Sequence, residues 1–204
     1  MKYTTALTTL LAGAMASSCT PSATDSYPSA TPSATPESPY FGVISARSAS
    51  PIHLQPLTAR GGYFYLGGEG GPSSYCPVET VGAAACPPGN TTVLAGGDKT
   101  LSMGVVVPGG QQVYVGPNGA LSYTVAHSAY IPAGSIVDAF SKEAPSNGNS
   151  FGYLNFETGF IACPAGEGKG YQVFGAITNG TFADDCLGFS ALTSSVDQAG
   201  AWQY

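Results

Sequence analysis

One pentapeptide, GNSFG at residues 148–152, matches the Gly-x-Ser-x-Gly pattern that exposes a nucleophilic serine on a strained strand-to-helix turn. A hydrolase of this type needs an aspartate and then a histidine later in the chain. Both histidines, His53 and His127, precede Ser150, and the surrounding residues are typical of a polar loop before a strand. The sequence therefore predicts no serine nucleophile, and we interpret each histidine as structural.

Paired carboxylates are the second candidate chemistry, because a glycosidase places two of them on either side of a sugar. The candidates are Asp138, Glu143, Glu157, Asp184 and Asp185. The sequence leaves open whether any two converge; Asp184-Asp185 is typical of a solvated turn, with calcium as the lesser alternative. The GEGKG segment at 166–170 lacks Gly-Lys-Ser/Thr and indicates a tight turn. We predict a non-enzyme without cofactor or metal, with a secreted carbohydrate-active hydrolase as the alternative.

Four cysteines lie between residues 41 and 204, which allows three pairings. The pairing that constrains the fold least joins cysteines that are close in sequence: Cys76 to Cys86, and Cys163 to Cys186. Zinc binding is disfavoured because Cys-x-x-Cys pairs are absent. Two N-glycosylation acceptors, at Asn90 and Asn179, suit the same oxidising compartment.

The N-terminal region predicts secretion. Lys2 precedes an apolar run that ends in Ala14-Met15-Ala16, so residues 1–18 are interpreted as a signal peptide. Residues 19–40 repeat Pro-Ser-Ala-Thr and indicate a disordered linker, O-glycosylated as one alternative. Residues 41–204 then form one domain, located outside the cell or in its wall.

The charge pattern excludes two classes of partner. The formal net charge is −6, and the basic residues beyond Lys2 are scattered singly. Nucleic acids and anionic membranes both bind clustered Lys and Arg. We therefore predict no nucleic-acid partner and, after signal cleavage, no membrane contact.

Glycine is abundant, and short apolar–polar runs recur between turn residues, which predicts a single antiparallel all-β domain. Segments 51–68, 110–124 and 170–193 look alike as paired strands, so a β-trefoil is the first choice and a β-sandwich the second. Ile52 to Leu57 is among the predicted strands. Only Ser135 to Ala144 has a weak helical pattern.

Residues 110–124, GQQVYVGPNGALSYT, predict a hairpin, because Asn-Gly stands between two alternating runs. The predicted inner residues are Val113, Val115 and Leu121, with Tyr123 at the core or its boundary. The predicted outer residues are Gln112, Tyr114, Ser122 and Thr124. We interpret the outer face first as the wet side of a sheet and alternatively as a glycan-facing surface using Gln112 and Tyr114. The tyrosines considered for an aromatic platform are Tyr63, Tyr65, Tyr114, Tyr123, Tyr130 and Tyr171.

Several blocks resemble one family of small secreted proteins from filamentous fungi, which includes IgE-binding antigens and a phialide-associated cell-wall protein. The blocks are FGVISARSASPIHLQ (41–55), residues 110–124, AHSAYIPAG (126–134), FIACP (160–164), YQVF (171–174), DCLGF (185–189) and AWQY (201–204). The resemblance implies a secreted or cell-wall protein linked to phialide and conidium formation and to stress protection. It also implies host IgE as a candidate partner beside wall polysaccharide, and it carries over no catalytic residue.

Overall fold

The computed structural model describes residues 38–146 and 148–204 and is almost entirely β-structure. Its strands are β1 (Tyr40–Ala46), β2 (Leu57–Arg60), β3 (Tyr63–Leu66), β4 (Leu94–Met103), β5 (Gln112–Val115), β6 (Leu121–Tyr123), β7 (Phe140–Glu143), β8 (Gly152–Phe156), β9 (Phe160–Pro164), β10 (Tyr171–Gly175) and β11 (Leu187–Ser195). One helical turn, α1 (Val78–Val81), and a 3₁₀ turn (Ala83–Ala85) lie between β3 and β4. The predicted signal peptide, residues 1–18, and all but the end of the predicted linker lie outside the described residues.

The strands form one antiparallel sheet that closes on itself. Each pairs with the next in the order β11, β8, β7, β4, β5, β6, β3, β10 and β9, and β9 pairs again with β11. β1 lies between β11 and β4, and β2 pairs with β3. The all-β class and the antiparallel sheet are confirmed, while trefoil against sandwich stays a prediction. Of the three look-alike segments, the last is not a hairpin, because β10 and β11 pair with other strands.

The hairpin of β5 and β6 places its apolar side in the core. Val113 pairs with Tyr123, and Val115 with Leu121. All four side chains are buried, as the alternation predicts. The prediction of exposure for Ser122 and Thr124 is wrong, since both are buried. Gln112 and Tyr114 are half-buried.

The turn of this hairpin uses one left-handed residue. The Gly119 N–H donates to the Gly116 carbonyl at 2.8 Å, and Gly119 has a φ of 85°. Asn118 keeps a negative φ, and its Oδ1 accepts from the Ala120 N–H at 3.2 Å. Pro117 and Asn118 thus occupy the centre of a four-residue turn, and the glycine after it adopts the conformation that returns the chain to the sheet.

Tyr204 is held in the interior by polar contacts. Its N–H donates to Gln111 Oε1 at 2.8 Å, and Gln111 Nε2 donates to its carbonyl at 2.8 Å. The Tyr204 hydroxyl donates to the Thr91 carbonyl at 2.5 Å and accepts from the Val93 N–H at 3.1 Å. Burial raises the pKa of this phenol to about 12. Gln111 is itself buried, so its amide satisfies backbone groups that water does not reach.

Two local predictions fail. The weak helix over Ser135 to Ala144 is wrong: Phe140 begins β7 and packs on Phe156 with ring centroids 5.4 Å apart. The strand over Ile52 to Leu57 is also wrong, because the chain turns at 51–54 and β2 begins at Leu57. In both cases long-range pairing and burial decide the local structure.

The cysteines form the two disulfides predicted from pairing residues that are close in sequence. Cys76 is bonded to Cys86, and Cys163 to Cys186. The first bridge closes the segment that holds α1 and the 3₁₀ turn, neither of which contains a buried residue. The second joins β9 to the residue before β11. Among residues 38–146 and 148–204, no helix has the length and hydropathy needed to cross a bilayer.

Candidate functional site

A row of polar and aromatic residues crosses three neighbouring strands on the outer face of the sheet. Tyr63 on β3 lies directly opposite Ser122 on β6, which in turn lies opposite Tyr114 on β5. Residues directly opposite one another in antiparallel strands point to the same side of the sheet. The two tyrosines therefore flank a serine, with their backbones two strand spacings, or about 10 Å, apart. We call Tyr63, Ser122, Tyr114 and the nearby Tyr130 the tyrosine face.

The pKa of Tyr114 is set by burial and by the groups around it. Burial raises the pKa of Tyr114, and the nearby phenols of Tyr63 and Tyr130 raise it further. A hydrogen bond with Ser122 acts in the opposite direction. Tyr130 is 75% exposed and Tyr63 is 41% exposed. The face thus combines accessible aromatic rings with hydroxyl groups and, within the row itself, carries no formal charge.

A groove of about 410 Å³ borders the face beside Tyr63. Tyr65 lies two residues along the same strand, and the Arg60 guanidinium lies 4.7 Å from the centre of its ring. Arg60 also donates to three backbone carbonyls, those of Gly67, Glu69 and Lys169. Its donors therefore hold two loops together, so we assign Arg60 a structural role here.

The two loops that Arg60 joins approach closely at a glycine. A Cβ on Gly68 would lie 2.5 Å from the backbone of Lys169, and Gly68 has a φ of 84°. The Glu69 N–H donates to the Gly168 carbonyl at 2.7 Å. GEGKG is the predicted tight turn, since the Lys169 N–H donates to the Gly166 carbonyl. The side chains of Glu69 and Lys169 line the groove at the exposed surface.

A second groove, of about 310 Å³, borders the other end of the face. Gln112 lies two residues before Tyr114 on β5, so both point to the same side of the sheet. Gln112 lines this groove together with His127 and Ser128. The two predicted glycan-facing residues are therefore neighbours on one side of β5, with Gln112 in this groove and Tyr114 in the tyrosine face.

The predicted tyrosine platform divides between the two sides of the sheet. Tyr123 is buried, and Tyr171 packs against the core. The sequence places Ser122 on the same outer side as Tyr114 but predicts it to be exposed, whereas it is buried. Arg60 is interpreted from the sequence only as an isolated charge. The strand pairing that brings β3 beside β6 accounts for the burial of Ser122, and no local pattern in the sequence encodes that pairing.

The candidate catalytic residues do not form a cluster. Ser150 is exposed in a loop that leads into strand β8 rather than a helix. His53 lies in a turn, where its Nδ1 accepts from the Arg47 N–H at 3.3 Å, and His127 lies in another exposed turn. Among residues 38–146 and 148–204, no group of three or more His, Cys, Asp or Glu side chains could hold a metal ion.

The candidate carboxylates are all exposed. Glu157 donates its N–H to the Ala139 carbonyl, which places Glu157 near Asp138 at one end of the β7–β8 ladder. Glu143, at the other end of β7, accepts from Asn155 Nδ2 at 2.8 Å. Asp184 and Asp185 lie in the turn before Cys186. None of these five residues lines either groove beside the tyrosine face.

Both glycosylation acceptors are exposed. Asn179 lies in a turn in which the Gly180 N–H donates to the Ile177 carbonyl at 3.0 Å. Asn90 instead lines a cleft between β1 and the segment that enters β4.

These features define an all-β domain with two disulfides and an uncharged, tyrosine-rich outer row, a class that fits proteins of the extracellular space. Residues 41–204 match the family of PhiA-like secreted proteins, and the chain belongs to that family. An uncharacterized secreted protein of Arthroderma benhamiae is 43% identical over 157 residues, covering 73% of this chain and 77% of the relative. No solved structure matches the chain. The protein is therefore a secreted protein.

Proposed function

We propose that this secreted protein binds a neutral polysaccharide of the fungal cell wall through the tyrosine face and does not act as an enzyme. The observation that carries the proposal is the row in which Tyr63 and Tyr114 flank Ser122 on three adjacent strands. The family supports an extracellular location, where such polymers are found.

The chemistry of the row suits sugar rings. A β-linked hexose presents a flat surface of C–H groups that stacks on an aromatic ring, while its hydroxyls need donors and acceptors at the edge. Tyrosine offers both an apolar body and a polar tip. The separation of about 10 Å between the two tyrosine backbones spans more than one sugar of a chain. The two bordering grooves extend the contact to further sugars.

The charges near the face favour an uncharged ligand. The Arg60 guanidinium is directed to three carbonyls and to the Tyr65 ring. Lys169 and Glu69 line the same groove with opposite charges. An anionic polymer would need clustered cations, as nucleic acids do. A neutral β-glucan or chitin is therefore the ligand class that we propose.

Binding to the wall would place the protein where the family resemblance implies a role. We propose that it supports phialide and conidium formation and stress protection as a wall-associated protein. Glycans on Asn90 and Asn179 belong to the same proposal. Recognition by host IgE needs only a stable exposed surface, which a domain with two disulfides supplies.

The test is depletion of purified protein by insoluble chitin, β-1,3-glucan and mannan. Wild type should be depleted by chitin or β-glucan, and Tyr63→Ala and Tyr114→Ala should each reduce the bound fraction at least several-fold. Tyr153→Ala is the matched control, because Tyr153 is also 41% exposed but lies on β8. Equal retention of all three variants would contradict the proposal. Polysaccharide hydrolysis abolished by Glu157→Gln would favour the hydrolase alternative instead.

A further inference from the structure

The cleft at Asn90 is separate from the tyrosine face and adjoins a second hollow. It has a volume of about 380 Å³, and its walls include Gly42, Ile44, Pro56, Pro72 and Val196. These walls are mostly apolar, with polar edges from residues such as Thr58 and Ser194. An adjoining hollow of about 470 Å³ shares Thr91, Val93 and Val196 with it and adds the polar side chains of Asp197 and Gln198.

Asn90 lies at the edge of this cleft, and hydrogen bonds fix the chain on both sides of it. The Gly89 N–H donates to the Gly200 carbonyl at 2.7 Å, and the Gly89 carbonyl accepts from Ser74 Oγ at 2.6 Å. On the other side, the Thr92 hydroxyl accepts from the Ala59 N–H at 2.8 Å. A group attached to Asn90 is thus held close to the cleft, so that docking there requires little further loss of entropy.

We infer that the first sugars of an N-linked glycan on Asn90 pack into this cleft and stabilise the fold. The N-acetylglucosamine core of such a glycan has apolar ring faces and a methyl group that match the apolar walls, and amide and hydroxyl groups that match the polar edges. The cleft volume lies within the usual range for small-molecule sites, about 300–1,000 Å³. The inference does not depend on the proposed polysaccharide function.

Asn179 provides the internal comparison. Its sequon is also complete and it is exposed as Asn90 is, but Asn179 lines neither the Asn90 cleft nor the adjoining hollow. A glycan there should extend into solvent. The two sites therefore separate the effect of docking from the general effect of carrying a glycan.

The experiment compares wild type, Asn90→Gln and Asn179→Gln, all secreted from a yeast host. Peptide mapping should find a glycan on Asn90. Asn90→Gln should lower the melting temperature by about 2–4 °C, and Asn179→Gln by much less. When the same two variants are made without glycosylation, both should have the melting temperature of unglycosylated wild type. This control excludes an effect of the glutamine itself.

A second variant keeps the test independent of Asn90. A Cβ on Gly42 would meet only Ser194 Oγ, at 3.8 Å, so Gly42→Val should fold while it narrows the cleft. Endoglycosidase under native conditions should release the Asn90 glycan more slowly than the Asn179 glycan in wild type. In Gly42→Val the two rates should become similar. An unoccupied Asn90, equal melting shifts for the two glutamine variants, or equal release rates in wild type would overturn the inference.

Discussion

The two sides of the β5–β6 hairpin share a backbone but differ in what their side chains contact. On the inner side, Val113, Val115 and Leu121 are almost completely buried. On the outer side Ser122 is also buried, but Tyr114 and Tyr63, which flank it, keep aromatic surface accessible. This difference separates side chains that determine stability from aromatic rings that a ligand can reach. It predicts large stability effects and unchanged binding for inner substitutions, and the reverse for outer ones.

The largest stability effect is expected for Val115→Ala. Loss of buried methyl groups should lower the free energy of unfolding by about 1–3 kcal/mol in denaturant titrations. Val125→Ala is the matched control, because Val125 is 73% exposed. The folded fraction of Val115→Ala should bind polysaccharide as wild type does. A similar loss in both valine variants would contradict the division between the two sides.

Tyr204→Phe tests whether a tyrosine of the interior contributes more to stability than the tyrosines of the face. Removing its hydroxyl leaves the Val93 N–H and the Thr91 carbonyl without this partner, which should cost about 1–2 kcal/mol near neutral pH.

The same variant has a defined pH signature. Burial raises the pKa of Tyr204 to about 12 in the folded state, whereas a tyrosine in the unfolded chain has a pKa of about 10. Between these values the folded state keeps the phenol proton and the unfolded state loses it. Its stabilising effect is therefore complete below pH 10 and is lost as pH rises toward 12. In urea titrations across this range, the free energy of unfolding should fall less with rising pH in Tyr204→Phe than in wild type. Identical pH profiles would show that the Tyr204 phenol does not contribute.

Smaller stability effects are expected for Tyr63→Ala and Tyr153→Ala. Both side chains are 41% exposed, so each substitution should cost less than about 1 kcal/mol, and the two should differ little in melting temperature. A much larger loss in Tyr63→Ala would mean that the tyrosine face is primarily structural.

The smallest effect is expected for Ser122→Ala. Its hydroxyl donates a long bond, 3.3 Å, to the Ala120 carbonyl and has a hydrogen bond with the partly accessible Tyr114, so stability should change little. The hydrogen bond with Ser122 lowers the pKa of Tyr114, and its removal should raise that pKa further. Spectrophotometric titration of the tyrosines measures this change, with Tyr114→Phe identifying the affected group. An unchanged Tyr114 titration would show that the two side chains are not coupled.

Local sequence signals predict part of this molecule well. The signals that predict well describe contacts between residues near one another in the chain. They are the alternation at Val113 and Val115, the Asn-Gly turn and the short cysteine spacings. The side of the sheet on which Ser122 lies could be predicted, but its burial could not, because it depends on β3 lying beside β6. The contacts of Arg60 could not be predicted, because they depend on two loops meeting at Gly68. The strand at Phe140 was missed for the same reason. Pairing between distant segments is what the sequence pattern leaves open.

Polysaccharide binding by the tyrosine face is tested most directly by calorimetric titration with soluble chitin and β-glucan oligosaccharides of increasing length. If the row and its bordering grooves form the proposed binding surface, wild-type affinity for one of these series should rise with chain length and then level off. Tyr153→Ala should reproduce this dependence, whereas Tyr63→Ala and Tyr114→Ala should weaken binding most for the longer chains. Binding that is absent in wild type, independent of length, or equal in Tyr63→Ala and Tyr153→Ala would contradict a polysaccharide-binding tyrosine face.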